Sequence, residues 1–117
     1  MAFLEVKTEF AVYKGCFLQV ARYQADNSMA IEIWNRENGP IARITVCIAG
    51  SMLADDEVVL DTNNCPWAVE FVESNGFGED TGRRVRSGYC TYPEYRFQEA
   101  LLREIDPDGY EAYLQVL

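Results

Sequence analysis

The sequence predicts an α+β fold: an antiparallel β-meander of four to five strands in the first half, packed by two to three short helices from the second half. Three observations carry that expectation. Apolar and polar residues alternate up to about residue 60, apolar residues then recur at three-to-four spacing, and no repeat, low-complexity tract or linker interrupts the 117 residues. One domain over 1–117 is expected, long enough to bury a core without metals or disulfides.

The first strand is expected over 5–13, with Lys14-Gly15 as its turn. Over 16–23, Leu18 and Val20 alternate with Gln19 and Ala21. Asn27-Ser28 then punctuates the chain, and Met29-Ala-Ile-Glu-Ile-Trp34 puts Ile31 and Ile33 on one face. The next turn is Asn35-Arg-Glu-Asn-Gly39-Pro40, because Asn-Gly tolerates positive φ and Pro cannot continue a ladder. A return strand over 41–48 would face Ala42, Ile44, Val46 and Ile48 to the core, and 57–60 is a further short strand.

After Asp61-Thr-Asn-Asn64, whose side chains are expected to cap a helix, Pro66 opens the helix and Trp67, Ala68, Phe71 and Val72 share its inner face until Asn75-Gly76. Residues 77–88 hold Gly78, Gly82 and Gly88 among polar residues and read as a loop; 89–97 reads as extended but broken by Pro93. A short helix over 98–105 would bury Leu101, Leu102 and Ile105. Asp106-Pro107 then caps and opens another helix, on which Tyr110, Tyr113, Leu114 and Leu117 share a face. The expected core contains Ile31, Ile33, Ile44, Val46, Trp67, Phe71, Leu101 and Leu102.

Composition excludes several classes of function. With 49% hydrophobic and 25% charged residues the chain is no disordered segment. Its apolar runs are too short to span a membrane, and a charge at Glu5 departs from the order of a signal peptide; a cytoplasmic protein is expected. It contains no histidine. Ser-His-Asp and Cys-His pairs, Cys2His2 zinc sites and HExxH helices are therefore absent. Cys16, Cys47, Cys65 and Cys90 form no CxxC motif; their even number permits two disulfides, but free thiols are expected in a cytoplasmic chain. No catalytic residue, metal or cofactor is assigned.

Net charge is −9, from 10 basic and 19 acidic residues, and the acids are unevenly spread. No Lys or Arg lies between Arg43 and Arg83, a stretch that holds Asp55, Asp56, Glu57, Asp61, Glu70, Glu73, Glu79 and Asp80. Such a run disfavours direct nucleic-acid binding, which depends on phosphate neutralisation, and fits either solubility or an acidic face for a basic partner protein. Arg83, Arg84 and Arg86, in the glycine-containing stretch, are candidates for holding an anion or a partner. The spacing matches neither Gly-x-Gly-x-x-Gly nor a P-loop. Tyr92, Tyr95, Tyr110 and Tyr113 are candidate interface aromatics, with core packing as the competing role.

Met29-Ala-Ile-Glu-Ile-Trp34, Asn38-Gly39-Pro40 leading into Ile44-Thr-Val46, Leu60-Asp-Thr-Asn-Asn-Cys-Pro-Trp67 and Ser87-Gly-Tyr-Cys-Thr-Tyr-Pro93 together resemble a bacterial family, domain of unknown function 4313, over about residues 20–97. The resemblance rests on the order of the segments. It implies a setting among small accessory products of gut bacteria, phages and mobile elements and transfers no catalytic residue.

With that setting, the acidic run points to a non-enzymatic inhibitor or nucleic-acid-mimicking decoy acting on a basic host protein, such as a nucleic-acid-guided defence nuclease, in the manner of an anti-CRISPR protein. The alternatives are a small magnesium-dependent carboxylate enzyme on phosphate esters, with Arg83, Arg84 and Arg86 gripping substrate, and a housekeeping scaffold.

Overall fold

A computed structural model describes residues 3–115. The first sheet has the order β1 (Leu4–Lys7), β2 (Val12–Arg22), β3 (Met29–Asn35) and β4 (Gly39–Arg43), all antiparallel. Between β2 and β3 the register runs without a break from Cys16↔Asn35 to Arg22↔Met29. Period-two alternation then buries Cys16, Leu18 and Val20 with Met29, Ile31 and Ile33 on one face.

Two boundaries differ from expectation. The first turn lies over 8–11, where Thr8 Oγ1 accepts from Phe10 N and Ala11 N, each at 3.2 Å. Lys14 and Gly15 are inside β2. Leu4 pairs with Cys16 but Val6 with Tyr13, so β2 carries an extra residue there, and Gly15 at φ +72° absorbs the bulge. The expected strand over 41–48 stops at Arg43 because the chain changes sheets: Ile44 N donates to Ile31 O (3.1 Å), whereas Val46 N donates to Val59 O (3.0 Å) and Thr45 bridges Leu60. Pro40 sits within β4, which tolerates it as an edge strand.

The second sheet has the order β5 (Glu57–Val59), β7 (Cys90–Phe97), β6 (Gly78–Ser87). The expected loop over 77–88 is thus mostly a strand of 10 residues. It hid from the sequence because it buries almost nothing; with neither face apolar, no period-two signal exists to read. Its glycines have strand roles. Gly82 (φ +87°) lies where the register skips between Asp80 and Arg84, and Gly88 (φ +60°) makes the Gly88-Tyr89 turn into β7. Pro93 does not break β7, since it lies opposite Arg84 at the end of that register skip and its carbonyl still accepts from Leu60 N at 3.1 Å.

The helices are α1 (Ala68–Ser74), α2 (Glu99–Ile105) and α3 (Pro107–Leu114). Asp61 does not cap α1. It accepts from Asn64 N (3.2 Å) and Asn64 Nδ2 (2.9 Å) in a turn ahead of the helix, and α1 starts without a side-chain cap. Asp106 caps α3 as expected, accepting from Gly109 N (3.2 Å), and also accepts from Val20 N (2.8 Å), which ties the helix to β2. The approach is so close that a Cβ at Gly109 would stand 2.6 Å from Val20 O.

The α+β class stands, with two sheets; all three helices lie in the second half, but β6 and β7 fall between α1 and α2. One core joins the inner faces of both: Leu18, Ile31, Ile33, Ile44, Leu60, Phe71, Tyr95, Phe97, Leu102, Tyr110 and Tyr113 all belong to it. Trp67 and Leu101 are only half-buried at its margin, and Val46 packs in a separate small cluster with Ile48, Val59 and Tyr92. Leu117 lies outside the described residues. Among those described, no helix is long and apolar enough to cross a membrane.

Candidate functional site

The acidic run does not form one face. Glu57 and Asp61 are buried, 2% and 7% exposed. The backbone trace explains Glu57: it shares a face of β5 with Val59, and that face is covered. Its carboxylate accepts from Ala54 N (2.9 Å), from Arg96 (2.9 Å) and from Arg83. Burial pushes this carboxyl up, but the Ala54 hydrogen bond and the two guanidinium groups outweigh it and hold the pKa below the ordinary Glu value. Arg83 also donates to buried Glu94 at 2.7 Å, and Arg96 reaches Asp56 at 3.5 Å. The result is a chain of alternating charge, Asp56, Arg96, Glu57, Arg83, Glu94, laid across the second sheet.

Arg83, Arg84 and Arg86 therefore make no anion-binding loop. Arg83 is held by Glu57 and Glu94, and Arg84 forks onto Asp80 at 2.8 and 2.9 Å, an interaction that lowers the Asp80 pKa. Only Arg86 of the three is exposed without an ion pair among the described residues.

The tyrosines are also corrected. Tyr92, Tyr95, Tyr110 and Tyr113 are all at least nine-tenths buried and belong to the two apolar clusters. Tyr95 donates to Glu73 at 2.6 Å, and burial raises its pKa. Tyr113 donates to Asp55 O at 2.7 Å, with its hydroxyl pushed up to about 12 mainly by burial. The exposed aromatic of this region is Tyr89, at the β6–β7 turn.

A different set of acids does gather. Asp55, Asp56 and Glu99 line a groove of about 480 Å³ together with Tyr110 and Leu114. A smaller cleft of about 130 Å³ shares Asp55 and adds Asp26 from the β2–β3 turn. Glu70 lines a separate groove with Glu5, Lys7 and Trp67. Arg103 pairs with Glu99 at 3.0 Å and lies 5.2 Å over the Tyr110 ring, so the groove has one cation at its margin besides Arg96. Burial, then Glu99, raise the Tyr110 pKa.

Residues 17–116 match the family model described as Domain of unknown function (DUF4313). The chain belongs to that family. The match extends beyond 20–97, taking in α2 and α3 and most of β2 but not β1. No curated protein and no solved structure matches the chain.

The acidic patch of this DUF4313 chain draws on residues 26, 55, 56 and 99, of which the acidic run in the sequence marks only the middle pair. Asp26 and Glu99 are single acids in unremarkable contexts, and no local pattern connects them; folding α2 beside the 54–56 turn does. Among the described residues no group of three or more His, Cys, Asp or Glu side chains converges as a metal site. All four cysteines are free; Cys16 and Cys65 are buried, and burial pushes the Cys65 thiol up to about 11, which suppresses its thiolate.

Proposed function

We propose that this DUF4313 protein is a small non-catalytic binding protein of a bacterial mobile element or phage, acting as an inhibitor or nucleic-acid-mimicking decoy on a basic host protein that handles nucleic acid. The observation that supports it is the groove where Asp55, Asp56 and Glu99 flank Tyr110 and Leu114, continued by Asp26. Such a patch on a chain of net charge −9 attracts Lys and Arg surfaces at long range and sets the on-rate of association. The partner would meet this patch and not the whole run, because Glu57 and Asp61 are buried; Arg96 and Arg103 offset Asp56 and Glu99 in part, and Asp55 and Asp26 make no ion pair among the described residues. No observation favours the phosphate-ester enzyme, whose substrate-gripping Arg83 and Arg84 are held by the protein's own carboxylates.

The test is association kinetics with a purified partner captured from host cells. Asp55→Asn, Asp56→Asn and Glu99→Gln combined are expected to slow association about tenfold at low salt and to leave dissociation nearly unchanged. DNA should compete with the protein for the partner. An on-rate indifferent to salt and to these substitutions overturns the proposal.

A further inference from the structure

We propose that the cleft between the β2 bulge and the β3–β4 turn binds a small phosphorylated molecule. The cleft measures about 740 Å³, within the range of ligand sites, and its charge is opposite to that of the protein as a whole. Lys14 and Arg36 both line it, and neither makes an ion pair among the described residues, although the chain has 19 acids for 10 bases. Glu37 also lines it, and stands in an ion pair with neither.

The walls are fixed before any ligand arrives. Asn35, 5% exposed, donates through Nδ2 to Lys14 O at 2.6 Å; its Oδ1 accepts from Glu37 N and Asn38 N, both at 3.0 Å, and from Asn38 Nδ2 at 3.2 Å. Arg36 N donates to Gly15 O at 3.3 Å. One buried amide thus ties the bulge to the turn. The Arg36 side chain crosses Gly15, where a Cβ would lie 3.8 Å from its Cδ, and its guanidinium sits 4.7 Å from the centre of the Phe3 ring. Stacking of this kind orients the planar fork without consuming its donors, so less rotamer freedom is lost when an oxyanion binds.

The ligand class follows from charge and size. A phosphate monoester carries about two negative charges at neutral pH and accepts both a guanidinium fork and an ammonium, which matches Arg36 with Lys14 better than a carboxylate does. The cleft is far larger than a bare ion, and Val12 and Tyr13 give it an apolar wall for an organic body. A long polyanion is repelled by the net charge of −9. This site is independent of the acidic groove and of the partner proposed for it.

The experiment is an amide chemical-shift titration of the full chain with phenyl phosphate, inorganic phosphate and benzoate at constant ionic strength. Saturable shifts are expected at Lys14, Gly15 and 36–38, with phenyl phosphate the tightest of the three. Lys14→Ala and Arg36→Ala should each weaken it about tenfold, the loss of one charged hydrogen-bonding partner. Arg86→Ala, which removes an exposed cation elsewhere, should change nothing. Shifts that never saturate, benzoate binding as tightly as phenyl phosphate, or an equal loss in Arg86→Ala overturns the proposal.

Discussion

In the first sheet, Cys16, Leu18 and Val20 on β2 stand beside Met29, Ile31 and Ile33 on β3, and the buried face is apolar throughout. In the second, one side of β5 and β7 is equally apolar, with Val58, Tyr95 and Phe97 in the main core beside Leu60, which follows β5. The other side places Glu57 and Glu94 beside Val59 and Tyr92, and Arg83 and Arg96 close over them. The difference is one of partners. An apolar side chain is satisfied by any close neighbour, whereas a buried carboxylate needs particular donors at particular places. The second sheet therefore depends on a bulge at Gly82 and on a strand that carries arginines across it.

The largest expected effect belongs to the first sheet. Leu18→Ala opens a cavity at a site 1% exposed and is expected to cost about 2–5 kcal/mol, measurable by urea denaturation. A loss below about 1 kcal/mol would mean that the face can collapse around the gap, and that apolar packing is not what distinguishes this sheet.

The same contrast explains which parts were legible in the sequence. Alternation at Leu18, Val20, Ile31 and Ile33 located β2 and β3, three-to-four spacing at Ala68, Phe71 and Val72 located α1, and Asp106-Pro107 located the start of α3. Each of those signals is local. Strand β6 looks like a loop in the sequence because its partners, Glu57 and Glu94, are supplied from other strands, and a row of Gly and Arg looks solvated until they are present. The candidate site failed for the same reason. Contiguity of Asp55 to Asp80 along the chain promised a contiguous face, but period-two alternation turned Glu57 inward and the fold set Asp26 and Glu99 beside Asp55. Charge read along a sequence reports composition, and only tertiary pairing decides which charges remain available.

An intermediate effect is expected at Glu57. Glu57→Gln keeps the shape and the Ala54 contact but leaves Arg83 and Arg96 without the charge between them, at a cost of about 1–3 kcal/mol near pH 7. The arginines are half-exposed, so water recovers part of the loss. Because the folded pKa of Glu57 is depressed, its contribution is fully present above the unfolded value, about 4.5, and disappears as pH falls through the folded value. Denaturation curves of the two proteins should therefore begin to converge as pH falls below the unfolded value and meet once it has passed through the folded one. A gap that persists unchanged in acid would assign the stabilisation to shape and not to charge.

The smallest effect is expected at Arg84, and it sharpens the comparison most. Arg84 grips Asp80 with two bonds at 2.8 and 2.9 Å, a geometry as good as any in the sheet, yet both partners are substantially exposed. Water and salt compete for each charge, and two long side chains lose rotamer freedom to hold one arrangement. Arg84→Ala should therefore leave the melting temperature unchanged within error, at low and at high salt alike. Glu57→Gln sits two strands away, with a similar number of bonds but a buried carboxylate. If Arg84→Ala lowered the melting temperature as far as Glu57→Gln, burial of the carboxylate would not be what makes the second sheet's ion pairs count, and the bonds themselves, wherever they stand, would have to carry the stability.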